Sequence, residues 1–180
     1  MTRTALTAAL LLAALAGGCG EQSQERPVAA APAPAPRAET PAQEFLRHAA
    51  ISNAFQAQAS ALALARELRP TLRAHAETMA REHEARALEM DALAERIGLD
   101  VAAVTLDDNH QGLINQLRAA PDEEFESIYA AQQTLITMNE LAAFEMYAAS
   151  GEDTALQDFA AHWVPRLRDR LIAVRMLPRL

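Results

Sequence analysis

Residues 70–98, PTLRAHAETMAREHEARALEMDALAERIG, decide the fold. Pro70 suits the first position of a helix, where an N–H has no intrahelical acceptor to lose. Leu72, Ala76, Met79, His83, Ala87, Met90, Ala94 and Ile97 then recur every three or four residues, building one apolar side over about seven helical turns. Gly98 supplies the residue that enters the left-handed region and ends the helix. A one-sided helix of that length is stable only when its apolar side is covered, so the rest of the chain must provide covering helices.

It does so on both sides. Upstream, Thr40-Pro41-Ala42-Gln43 reads as N-cap, N1 proline and the glutamine of a capping box. The first helix carries Phe45, Ala49, Ser52, Phe55, Ala59, Leu62 and Ala65, and is expected to end by Leu68 because Pro70 follows. Downstream, Leu99 to Asp108 is a connection and Asp107 to Arg118 a short helix. Pro121-Asp122-Glu123-Glu124 opens a third long helix with acid in its first turn, where the helix dipole favours it. Ser150-Gly151-Glu152-Asp153 closes that helix and caps a fourth, bearing Leu156, Ala160, Trp163, Leu167, Leu171 and Val174. Pro165 falls inside the fourth, predicting a kink or break. No strand pattern interrupts the series. The expectation is an all-α four-helix bundle over residues 41–178, with a short extra helix between the second and third long helices and a kinked fourth.

The first 40 residues are of another kind. Arg3, the apolar run Ala5–Ala16 and Gly17-Gly18 make a secretory signal over residues 1–18, too short for a bilayer span of about 20 residues. Cys19 follows at once and is the single cysteine, so it forms no internal disulfide. A lone cysteine directly after such a signal resembles the lipobox of bacterial lipoproteins, whose cysteine is lipidated after cleavage. From there to residue 40 the chain is Gln, Glu, Ala and Pro, including Ala31-Pro32-Ala33-Pro34-Ala35-Pro36, an extended linker unable to bury apolar surface.

Charge limits the partners. The whole chain carries −8; loss of Arg3 with the signal leaves 15 basic against 24 acidic residues, hence −9. Such a protein is poorly suited to nucleic acid or to anionic lipid. Membrane attachment is therefore expected through a lipid on Cys19, with an unidentified protein as the other partner. Gly20 after the cysteine lacks the aspartate that favours inner-membrane retention, so the expected place is the periplasmic side of the envelope, at the outer membrane.

The reactive groups are few. Bundle metal sites use Glu-x-x-His on facing helices. None of the five histidines has Glu three residues before it: those positions hold Phe45, Leu72, Ala80, Asp107 and Phe159. A nucleophile elbow and a phosphate loop are also missing from the sequence, so no catalytic residue is assigned. His75, Met79 and His83 share one side of the second helix, since eight residues advance about 800°. They would suit a soft transition metal, or simply be core and hydrogen-bonded groups.

In order and spacing, Ala49-Ala50-Ile51-Ser52-Asn53-Ala54-Phe55-Gln56, Met79 with Glu82-His83, Phe125-Glu126-Ser127-Ile128-Tyr129-Ala130-Ala131-Gln132, Gly151-Glu152-Asp153 and Phe159 with Pro165-Arg166-Leu167 resemble the bacterial domain of unknown function 4142, exported ferritin-like four-helix proteins. The resemblance implies polar positions on all four long helices: Glu on the first, Asp-His on the second, and His on the third and fourth. This chain has Gln56, Glu82-His83, Thr137 and Arg170 there. A guanidinium neither ligates nor tolerates a cation beside it. We therefore expect Gln56, His83, Thr137 and Arg170 to form a buried polar layer, with Glu82 or Glu140 as the negative partner. The alternative leaves Arg170 exposed and His83 alone in the core.

The functional expectation is a cell-envelope lipoprotein acting through protein contacts or in envelope stress, without a cofactor. The alternative is a ferritin-like metal-binding or redox protein with an altered site, its transition metal on His83 with Met79 and His75.

Overall fold

The computed structural model describes residues 38–177; the expected signal, Cys19 and the linker as far as residue 37 lie outside them. Within that range the architecture is all-α. Helix α1 spans Pro41–Leu64, α2 Pro70–Ile97, α3 Asp108–Ala119, α4 Asp122–Ser150 and α5 Thr154–Arg175, with a short 3-10 turn at Val101–Ala103. No described helix is long and apolar enough to cross a membrane.

The expected end signals act as their chemistry requires. Thr40 Oγ1 accepts from the Gln43 N–H at 3.2 Å, and Gln43 Oε1 accepts from the Thr40 N–H at 3.0 Å, completing both halves of the capping box. Gly98 adopts φ 70°, which lets the Leu99 N–H return to the Ala94 carbonyl at 3.0 Å. Asp107 caps α3 through the His110 N–H at 2.8 Å. Asp153 caps α5 through the Leu156 N–H at 2.9 Å and also pairs with Arg96 at 2.6 Å, tying the end of α2 to the start of α5.

Helix α1 stops at Leu64, short of the Leu68 limit set by Pro70. The chain leaves the helix early because Arg66 has other work: its guanidinium donates to the Ala120 carbonyl and to Asp122, both at 2.8 Å, and lies 4.3 Å over the Phe125 ring. Arg73 in turn donates to the Arg66 carbonyl at 2.8 Å, satisfying a group that the early stop exposes. Of the kink or break expected at Pro165, there is no break; α5 runs through it. A proline inside a helix frees the carbonyl four residues earlier, here that of Ala161. Both Ala161 and Pro165 are exposed, on the side of α5 where a freed carbonyl is not shut away from solvent, and the helix continues.

In the packing, α1 lies mainly on α2, and α4 on α5, while α1 also touches α3 and α4. Gln132 fastens α3 to α4 through the Leu113 carbonyl at 3.1 Å and Gln116 at 2.9 Å. The apolar interior falls into two clusters. One gathers Phe55, Leu72, Ile114, Leu117, Phe125 and Val174; the other gathers Leu46, Met90, Phe144, Leu156, Phe159, Trp163 and Leu167. Between these clusters along the helices lie the polar residues.

Candidate functional site

Each long helix sends polar side chains inward at helical spacing: Asn53, Gln56 and Ser60 from α1, His83 and Arg86 from α2, Gln133, Thr137 and Glu140 from α4, and Arg170 from α5. All nine are buried. Buried polar groups in such number are rare unless they satisfy one another or hold something.

Three of them, with half-exposed Glu82, form a closed ion network. Arg86 and Glu140 are both 0% exposed and meet at 2.5 Å. Arg170 reaches Glu82 at 2.5 Å and Glu140 at 3.5 Å. Two guanidiniums thus face two carboxylates, and the network is neutral. Asn53 organises one side of it. Its amide donates to the His83 carbonyl at 3.0 Å, while its Oδ1 accepts from Arg86 Nε at 3.1 Å and lies 2.7 Å from His83 Nδ1. Arg170 Nη1, which can only donate, approaches His83 Nε2 at 3.3 Å. These partners assign the His83 proton to Nδ1 and leave Nε2 to accept. Burial, then the Arg86 and Arg170 charges, hold the His83 pKa well below its ordinary value, so the ring is neutral at pH 7. Arg86 also lies 5.1 Å from the Trp163 ring centroid and 5.7 Å from that of Phe144, which shields its apolar side.

Beyond the ion network the polar groups are less well served. His75 stands against Gln133, and Tyr129 against Ser60. Neither pair reaches hydrogen-bonding geometry, and His75 Nε2, Tyr129 Oη, Ser60 Oγ and both amide atoms of Gln133 have no partner. Burial lowers the His75 pKa and pushes Tyr129 up to about 12. A groove of about 500 Å³ between α2 and α5 opens onto this end, lined among others by His75, Met79, Glu82 and Arg170.

Of the four residues expected to share a layer, His83 and Arg170 meet directly. Gln56 and Thr137 are fully buried, but their side-chain polar atoms make no hydrogen bond. Arg170 is 4% exposed, which removes the alternative of an outward-facing arginine. Both proposed negative partners, Glu82 and Glu140, contact it. Sequence reasoning missed Asn53 and Arg86. The signal for Arg86 was its place three residues after His83, on the same apolar side.

A metal does not fit at Gln56, His83, Thr137 and Arg170, because a permanent cation faces the one free ring nitrogen and a second lies 3.1 Å from the other. Met79 is buried and lines the groove with His75. Among the described residues no group of three or more His, Cys, Asp or Glu is arranged to hold a metal ion.

The same arrangement of helices recurs elsewhere. The chain is similar to the crystal structure of a DUF305 fragment from Deinococcus radiodurans, with TM-score 0.66 and 16% identity over 77% of this chain and 96% of that one. That likeness is one of fold alone. No curated protein matches the chain. A family model does, over residues 27–177, and on that match the chain belongs to the family described as Domain of unknown function (DUF4142).

Proposed function

We propose that this protein is a lipid-anchored component of the cell envelope that works through contacts made by the outside of its bundle. Cys19 takes the lipid, the Ala/Pro linker sets the distance, and the acidic bundle meets its partner on the periplasmic side, at the outer membrane. One observation carries the reading. The centre of the bundle, where helix bundles place cofactors and reactive side chains, is filled by Arg86 and Arg170 with their carboxylates. Such a centre holds helices together and leaves recognition to the surface. More than one acyl chain on the cysteine makes anchoring stable.

Fractionation tests the anchor. The full chain should sediment with membranes and release only in detergent, whereas Cys19→Ser should be soluble. Equal membrane retention of the variant would refute the anchored reading.

A second reading has its own support. His75 Nε2 is a buried ring nitrogen without a partner, burial holds the ring's pKa down, and Met79 and Glu82 line the same groove one and two turns along α2. A soft transition metal suits His and Met together, although Arg170 beside them opposes a cation. Near-stoichiometric copper in protein purified without a tag, lost in His75→Ala, would favour this reading over the first.

A further inference from the structure

Large apolar side chains left in solvent are unevenly spread over the bundle. Among the described residues six are strongly exposed: Leu88 on α2 at 69%, Leu135, Met138 and Met146 on α4 at 49, 44 and 68%, and Ile172 at 60% and Met176 at 79% near the end of α5. Five of the six therefore belong to the α4–α5 hairpin. On α4 they lie in a continuous outward stripe with spacing of three or four residues, Ala131, Leu135, Met138, Ala142, Met146 and Ala149, each of them exposed. On α5 the corresponding stripe is Pro165, Arg168, Ile172 and Met176.

The two stripes are neighbours. Arg168 pairs with Glu145 at 2.6 Å across the outer side of the hairpin, and both are part-exposed. Because the helices are antiparallel, that pair fixes the heights of the rest: Ile172 comes level with Leu141–Ala142, and Met176 with Thr137–Met138. The result is one largely apolar face, interrupted by that ion pair and by exposed Arg175, seven residues after Arg168 on the same side of α5. At about 200 Å² for a fully exposed side chain of this size, the five residues leave roughly 600 Å² of apolar surface, and the alanines and Pro165 bring the face near the ~800 Å² per partner of a stable interface. Isolated exposed apolar residues need no explanation, but a face of this extent does.

We propose that this face binds a second copy of the chain. The proposal rests on the reading of the protein as one that acts through surface contacts, and names the partner. The charges argue for self-association. A two-fold axis along the groove between α4 and α5 lays α4 of each copy against α5 of the other, with Glu145 at the height of the partner's Arg168 and Ala142 at the height of the partner's Ile172. Each carboxylate then lies between two guanidiniums and each guanidinium between two carboxylates, and a bulky side chain meets a small one, as an isologous interface requires. A lipid surface suits the face less well. The stripes carry no aromatic side chain to seat among headgroups, and the mature chain is acidic at −9 from 15 basic and 24 acidic residues.

Sedimentation equilibrium on the mature chain with Cys19→Ser tests this, since neither lipid nor a disulfide then links copies. The expected result is a reversible dimer at micromolar concentrations. Met138→Glu should weaken it at least tenfold with unchanged helicity and melting temperature, while Leu88→Glu on α2 leaves it intact. Glu145→Arg and Arg168→Glu should each weaken the dimer, and the double exchange should restore it. A monomer up to several hundred micromolar, or a dimer indifferent to Met138→Glu, would overturn the proposal. So would a monomer whose Met138-dependent binding is to liposomes. None of these outcomes touches the anchor, which the Cys19→Ser fractionation reads independently.

Discussion

Glu140→Leu tests the ion network most severely. Arg86 loses its carboxylate at 2.5 Å and Arg170 one of its two carboxylates. Arg86 is 0% exposed and keeps only Asn53 Oδ1 as an acceptor, so its charge stays buried with little compensation. Removing one member of such a pair costs about 3–5 kcal/mol. Arg86→Leu strands Glu140 less completely, because Arg170 remains 3.5 Å away, and about 3 kcal/mol is expected. The double variant removes both charges while leaving Arg170 on Glu82 and the His83–Asn53 bond in place. Its cost should fall to about 1–3 kcal/mol, well under the sum of the singles. A coupling of at least about 2 kcal/mol follows. A domain of this size holds about 10 kcal/mol in total, so every variant stays folded and measurable. Urea unfolding followed by circular dichroism, on chains with Cys19→Ser at pH 7.5, gives the four values. If the two single losses add to within about 0.5 kcal/mol of the double, the residues are independent and the network reasoning is wrong.

Two further outcomes follow from the same centre. His83 and His75 both have folded pKa values below their ordinary value, so below about pH 6.5 the unfolded chain binds protons that the folded chain refuses. Stability should be complete above that pH and fall as the pH drops, by at most about 1.4 kcal/mol per unit for each histidine; a His83→Gln chain should lose less between pH 7 and pH 5.5, and an identical loss in thermal melts would count against a neutral buried His83. Asn53→Ala removes the bonds to the His83 carbonyl, His83 Nδ1 and Arg86 Nε, and should cost about 2–4 kcal/mol by urea melts, against under 1 kcal/mol for Gln58→Ala on the exposed side of α1.

The helices were legible because their ends carry strong local chemistry. Thr40 with Gln43, Pro70, Gly98, Asp107 and Asp153 each satisfy or stop a helix through atoms a few residues away. The end of α1 was not legible, since it depends on Arg66 reaching Ala120 and Asp122, more than 50 residues downstream. Whether Pro165 would kink or break its helix was left open for a similar reason. Whether a proline breaks a helix depends on what the freed carbonyl of Ala161 faces, and that is decided by packing. At the centre, His83 announced itself by interrupting an apolar stripe. Arg86 did not, because arginine at a helical position ordinarily lies on the surface with only its stem buried. Asn53 was hidden in the same way among the small polar residues of α1. The outward stripe of α4 was invisible to periodicity, as that helix is apolar on more than one side.

The polar centre also bears on how the helices find their alignment. An interior built largely from alanine and leucine has little to distinguish one turn from the next, so a helix that slips by one turn, about 5.4 Å, could still bury much of its apolar side. The ion network withdraws that freedom. If α5 slid by a turn, Arg170 would leave Glu82, Glu140 and His83 together and carry its charge into one of the apolar clusters on either side. If α1 slid, Asn53 would release both Arg86 and the His83 ring. The charges thus act as a key cut at mid-height, admitting one longitudinal setting of the four long helices and rejecting its neighbours.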